Sequence, residues 1–138
     1  MKTTLIFSKY DEYTGVSIST IRCKYGEFTG VARLHPEDKA IASSFLGCEI
    51  AEKRAIIKAF KAQRREVAAM QKAIERVIND IAETKAYERN SPENRRLRKT
   101  YYRYQQELFG IDSQIGSLSA SIDKKFEQRE SVLKRFSK

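Results

Sequence analysis

Cations that interrupt an apolar helical seam are the first residues in this chain with the chemistry of a site. Leu97, Tyr101, Tyr104, Leu108, Ile111, Ile115, Leu118 and Ile122 alternate four and three apart, the spacing of a coiled-coil seam. The same register continues on to Lys125 and Arg129 before turning apolar again at Val132 and Phe136. Folding the chain about Asn90 and Ser91 would set those two cations opposite Lys53 and Arg54. Like charges crowded at a seam are destabilising unless anions meet them, and a phosphate does so with charge-assisted bonds that arginine can make in pairs. Arg54, Lys125 and Arg129 are therefore candidate phosphate contacts. The structural alternative is a frayed seam whose long side chains snorkel into water, or pair with Glu49, Glu52, Asp123 and Glu127.

A second candidate lies between Arg89 and Arg103, where six cations face a single acid. A nucleobase can stack on an aromatic ring or a guanidinium plane, and an asparagine amide matches the adjacent donor and acceptor of adenine. Arg98, Tyr101 and Asn94 are the base-side candidates, with Tyr102 off the seam beside them. Tyr101 sits at a seam position, which is more often core than stacking platform, and for an arginine run a solvated helix face is the usual explanation. His35 has neither a nucleophile at motif spacing nor partner ligands, and Cys23 and Cys48 form no CxxC pair. No metal site, cofactor or disulfide framework is expected. Walker, GxGxxG, HExxH and GxSxG motifs are all missing, so the expectation is a protein that is not an enzyme.

The elements that must position these residues are two long helices, expected over 49–88 and 93–136. In the first, Phe60, Val67, Ile74 and Ile81 fall seven apart, with Ile50, Ile57 and Ile78 at companion positions. Ser91-Pro92 marks a stop and restart, because proline has no amide to continue a helix but fits a first turn that serine can cap. The short connector makes the helices antiparallel neighbours. At a rise of 1.5 Å per residue each would be about 60 Å long, an elongated arrangement.

Residues 1–34 read as a small antiparallel sheet. β-branched and aromatic residues fill 3–10, 16–25 and 28–34, with Gly15 at one turn and Gly26-Glu27 at the next. His35-Pro36-Glu37-Asp38 has the composition of a helix first turn, which predicts a short helix over 35–46 ended by Gly47. The fold class is thus α+β in one domain spanning 1–138: sheet, short helix, then a long coiled-coil-like hairpin. Three strands alone are marginal, and a lone hairpin leaves apolar stripe uncovered, so a homo-oligomer is expected.

With 138 residues, 33% of them charged and 41% hydrophobic, the chain suits a long exposed helical surface better than a thick core. A net charge of +9 calls for an anionic partner, whether nucleic acid, phosphorylated small molecule or membrane surface. No apolar run approaches a membrane span, and the opening residues are too short for a signal peptide, so a reduced cytosolic protein with no membrane partner is expected.

The stretch YGEFTGVARLHPEDKAIASSFLGCEIAEKRAIIK, from Tyr25 to Lys58, resembles the front half of the phage Thoeris anti-defence sponge family. Thr29-Gly30, Ala32, His35-Pro36 with Asp38-Lys39, Gly47, Ile50-Ala51 and Arg54-Ala55 carry the likeness, and the remainder follows the family in layout alone. The resemblance implies a protein that binds and sequesters the cyclic ADP-ribose isomer signalled in Thoeris defence, without degrading it, in the cytoplasm of an infected bacterial host. It further implies hexamers, and in some members a separate site for cyclic trinucleotides of a second system, CBASS. Two readings of other classes stand beside it. One is a basic helical hairpin that binds nucleic acid through phosphates and loses affinity steeply with salt. The other is a coiled-coil adaptor that binds a partner helix and ignores nucleotides. If Arg129 contacts phosphate, Arg129→Ala should weaken binding of a phosphorylated ligand by about 1.5–3 kcal/mol in a calorimetric titration, whereas unchanged affinity removes it from the site.

Overall fold

The structure of the chain, a computed structural model, describes residues 1–33, 44–84 and 91–136, with the side chains of 44–45, 83–84 and 128–136 outside the description. It is an α+β arrangement of three strands, β1 (Thr4–Asp11), β2 (Val16–Cys23) and β3 (Gly26–Arg33), followed by two helices, α1 (Ser44–Thr84) and α2 (Pro92–Phe136). The chain divides into two compact units, Met1–Lys61 with Gln114–Lys138, and Ala62–Ser113.

In the first unit the strands form an antiparallel sheet in the order β1-β2-β3. Asp11 builds the first turn: its carboxylate accepts the Tyr13 N–H at 2.9 Å, and its carbonyl accepts the Gly15 N–H at 2.8 Å. Gly15 holds φ at 72°, a left-handed conformation open to glycine at little cost. The Tyr13 N–H, against an opposing effect of burial and with help from Thr14 and Lys9, holds the Asp11 carboxyl below its ordinary range. The second turn differs from the sequence expectation. Cys23 pairs with Gly26, so Lys24-Tyr25 is the loop, and Gly26, at φ 118°, opens β3 instead of forming the turn.

The register places Ser17 opposite Ala32, Ser19 opposite Gly30 and Ile21 opposite Phe28, and this face of the sheet packs on α1. Ala51, Ala55 and Ala59 recur one turn apart on α1, all fully buried. Ala51 joins Ile50, Ala32 and Ile122 of α2 in one cluster, while Ala55 and Ala59 join Ile21 in another. Small residues on both sides bring backbone to backbone. A Cβ on Gly30 would lie 1.8 Å from the Ala51 carbonyl oxygen and 2.6 Å from the Ala55 nitrogen. Gly47 is equally constrained, since a Cβ there would lie 2.3 Å from Ser17 Oγ. A relay of hydroxyls adds to the seat: Ser19 Oγ donates to the Cys48 carbonyl at 3.2 Å and bonds Ser8 Oγ at 3.0 Å.

Gly47 was expected to end a short helix over 35–46; it lies instead within α1, which runs unbroken from Ser44. Tight contact with Ser17, not helix termination, is the physical reason for glycine at this position. Residues 34–43, which hold most of that expected helix together with His35, and the connector 85–90 fall outside the described residues. α2 begins at Pro92 as anticipated. The Ser91 hydroxyl accepts the Asn94 N–H at 3.2 Å, and the Ser91 carbonyl accepts the Arg95 N–H at 3.0 Å.

In the second unit α1 and α2 run antiparallel, with Arg64 bonded to Asp112 at 2.7 Å and Gln71 bonded to Gln105. Val67, Leu108 and Ile111 are its buried apolar residues. No described helix is long and apolar enough to cross a membrane.

Gly30→Ala should destabilise the protein by about 3 kcal/mol or more in urea unfolding, because the helix backbone it meets has no rotamer to give. Gly110→Ala, in helix with nothing within 4 Å of the added carbon, should instead be neutral or stabilise by up to about 1 kcal/mol. Similar effects for the two would show that the sheet does not sit this closely on α1.

Candidate functional site

Of the four cations expected to converge in the first unit, Lys125 and Arg54 are engaged within the chain. Lys125 donates to the Glu49 carboxylate in a half-buried ion pair. Arg54 donates to the Val31 carbonyl at 2.7 Å and lies over the Phe126 ring, 5.7 Å from its centroid. These two of the three phosphate candidates therefore have acceptors or a ring already in hand. The expected register, with Lys125 opposite Lys53, would have crowded like charges; the observed one brings a carboxylate to the seam lysine. Arg129 lies within the backbone of α2, but its side chain falls outside the described residues.

Arg54 has a companion one turn on. Lys58 donates to the Thr29 carbonyl at 2.6 Å. Thr29 and Val31 are alternate residues of β3, an edge strand whose outward carbonyls would otherwise be open to a further strand. Two cations of α1 thus cap the β3 edge, a role for Arg54 that sequence spacing alone did not suggest.

The second unit brings other candidates together. The register that pairs Arg64 with Asp112 and Gln71 with Gln105 carries Glu75 opposite Tyr101 and Ile78 opposite Arg98. These four residues and Tyr102 line a cavity of about 200 Å³. Tyr101 is half-buried and meets Tyr102 edge to face, with ring centroids 5.7 Å apart and planes at 81°. Tyr102 is 64% exposed. Arg98 and Glu75 are both exposed, and among the described residues neither has an ion-pair or hydrogen-bond partner. Two expected base-side residues, Arg98 and Tyr101, therefore share one site. The third does not join them: Asn94 is fully buried at the start of α2, where its N–H meets the Ser91 hydroxyl, so it presents no amide to a ligand in solution. A polar residue in a first helical turn serves the cap and the packing beneath it, and that local demand prevailed over the proposed base contact. Glu75 was not singled out from the sequence, and only the pairing register of the helices reveals it.

Cys23 and Cys48 are half-buried free thiols, and no group of three or more His, Cys, Asp or Glu among the described residues could hold a metal ion. The chain matches no family model, no curated protein and no solved structure.

Replacing both caps, as Arg54→Met with Lys58→Met, keeps the apolar stems and opens the β3 edge. Light scattering should then record concentration-dependent association beyond that of the parent protein. Arg95→Met with Lys99→Met, which removes the same charge from exposed sites, should not have this effect. Identical behaviour of the two double variants would deny the capping role.

Proposed function

We propose that this protein is a non-catalytic phage anti-defence protein that binds and sequesters cyclic nucleotide immune signals, glyco-cyclic ADP-ribose first among them and cyclic trinucleotides second. The observation that carries the proposal is the cavity of the second unit, where an exposed tyrosine ring and an uncommitted guanidinium stand side by side. An aromatic face binds a base through stacking, and a guanidinium binds phosphate or the base edge. The resemblance of residues 25–58 to the Thoeris anti-defence sponge family adds the class of ligand. A net charge of +9 favours capture of an anion at low concentration. Sequestration requires tight holding without turnover, and slow release is where affinity is mostly set.

The proposed protein acts in the host cytoplasm as a homo-oligomer, hexameric if it follows that family. Met70 and Val77 of α1 and Phe109 of α2 leave apolar surface exposed, which suits contact between copies. A nucleic-acid reading has one specific observation in its favour. Arg95, Lys99 and Arg103, four residues apart and all exposed, form a basic line along α2 that could follow a phosphate backbone.

Calorimetric titration with glyco-cyclic ADP-ribose and with a cyclic trinucleotide, followed by recovery of the ligand through heat denaturation, distinguishes these readings. Saturable binding with the ligand returned intact is expected, along with a loss of about 1.5–3 kcal/mol on Arg98→Ala and about 1–3 kcal/mol on Tyr102→Ala. Silence toward both nucleotides, with salt-sensitive heat toward short duplex DNA, would overturn sequestration in favour of nucleic-acid binding.

A further inference from the structure

We infer that two copies of this chain associate antiparallel along the outer face of α2, an inference that goes beyond nucleotide binding and rests only on the homo-oligomeric form proposed above. Lys99, Gln106, Ser113, Ala120 and Glu127 recur every seven residues along α2, a single continuous helix, and all five are exposed. They lie on the side of the helix away from its buried residues Leu108 and Ile111.

The charges on this face are segregated along its length. Lys99 and Arg103 stand four apart towards its start, and Asp123 and Glu127 stand four apart towards its end, all exposed. Among the described residues none of the four forms an ion pair, and Arg103 lies only over its neighbour Tyr104, 5.3 Å from the ring centroid. Within one chain each couple sets like charges on adjacent turns, which is mildly destabilising. A second copy related by a two-fold axis at Ser113 removes both conflicts at once. It brings Glu127 to Lys99 and Asp123 to Arg103, and the symmetry repeats both pairs on the other side of the axis. Lys124, which interrupts the acids, falls opposite the uncharged Tyr102. A parallel copy would instead set Lys99 on Lys99 and Glu127 on Glu127, so the charge pattern selects the antiparallel arrangement.

The middle of the face agrees with that arrangement. The same axis exchanges Phe109 with Ser117 and Gly110 with Gly116. Among the described residues nothing lies within 4 Å of a Cβ added at either glycine, so packing within the chain gives no reason for glycine in mid-helix, where alanine is more favourable. Phe109 is 77% exposed, and in a second copy it would meet the low surface of Gly116 and Ser117. Lys99 and Arg103 belong to the basic line that could follow a phosphate backbone; in the associated pair that line is met by carboxylates.

The test uses sedimentation equilibrium of the full chain at low ionic strength. The parent protein should associate, and Lys99→Glu with Arg103→Glu should raise the dissociation constant at least about tenfold, because four attractive contacts become like-charge ones. Asp123→Lys with Glu127→Lys should do the same. An equimolar mixture of the two double variants should associate again, since every contact between unlike chains is then complementary, and circular dichroism should show both variants folded as the parent. A parent that stays monomeric, a double variant that associates as the parent does, or a mixture no tighter than its components would overturn the antiparallel pairing. Any of these outcomes beside saturable nucleotide binding would leave sequestration standing, and association as described beside silence toward nucleotides would overturn sequestration alone.

Discussion

The contact on which the structure depends is backbone against backbone, where Gly30 of β3 lies on the Ala51–Ala55 turn of α1. A strand and a helix approach this closely only where neither carries a bulky side chain. The demand spreads to the neighbours: Ser17, Ser19 and Ala32 on the sheet, Gly47, Ala51, Ala55 and Ala59 on the helix. Small residues bury little apolar area each, so the larger hydrophobic contribution comes from Ile21 and Ile50 at 1% and 2% exposure, worth about 1.5–3 kcal/mol apiece. The close seat also places Arg54 and Lys58 within reach of the β3 edge carbonyls at 2.7 and 2.6 Å. A larger residue at position 30 would therefore disturb the sheet packing and its edge together.

This packing bears on what the family resemblance means. Gly30, Ala32, Gly47, Ile50, Ala51 and Ala55 carry much of the likeness, and each has a packing reason to be what it is. Arg54 belongs to the same set and is bonded to the sheet edge. What the likeness describes, over the residues the structure covers, is a way of seating a small sheet on a helix. The cavity lies further along the chain, between residues 75 and 102, so the chemistry proposed for it stands on its own residues.

Patterns of type and period were legible in the sequence; partnerships across the helices were not. Alternating β-branched residues located all three strands, and the four-three apolar rhythm located α2 to within a residue of its start. A heptad seam states which face of a helix is buried, but it is satisfied by several registers that differ by a turn, and helix pairing must be settled by individual contacts such as Arg64–Asp112. An error of that size moved Lys125 from Glu49 to Lys53 and hid Glu75 altogether. Glycine posed a second ambiguity. At Gly15 it serves a left-handed turn, at Gly30 and Gly47 it serves close approach, and the sequence alone does not separate the two uses. Arg98 and Tyr101, three residues apart on one face of α2, line the same cavity. Asn94 was misplaced because capping and burial are decided by the same few residues.

The electrostatics of the second unit explain how a cavity with opposite charges on its walls can persist. Exposed ion pairs contribute only about 0–1 kcal/mol, since water and salt screen them and two long side chains must be held in one geometry. Leaving Glu75 and Arg98 apart thus costs the fold almost nothing, unlike leaving Lys125 without Glu49 at a half-buried seam position. The same two groups would become far more effective if the proposed stacked ring excluded water from them, because a hydrogen bond to a charged group strengthens as the local dielectric falls. Half-buried Lys125 is paired with Glu49, while Glu75 and Arg98, exposed around an aromatic wall, are left open, which is the condition the proposed ligand site requires.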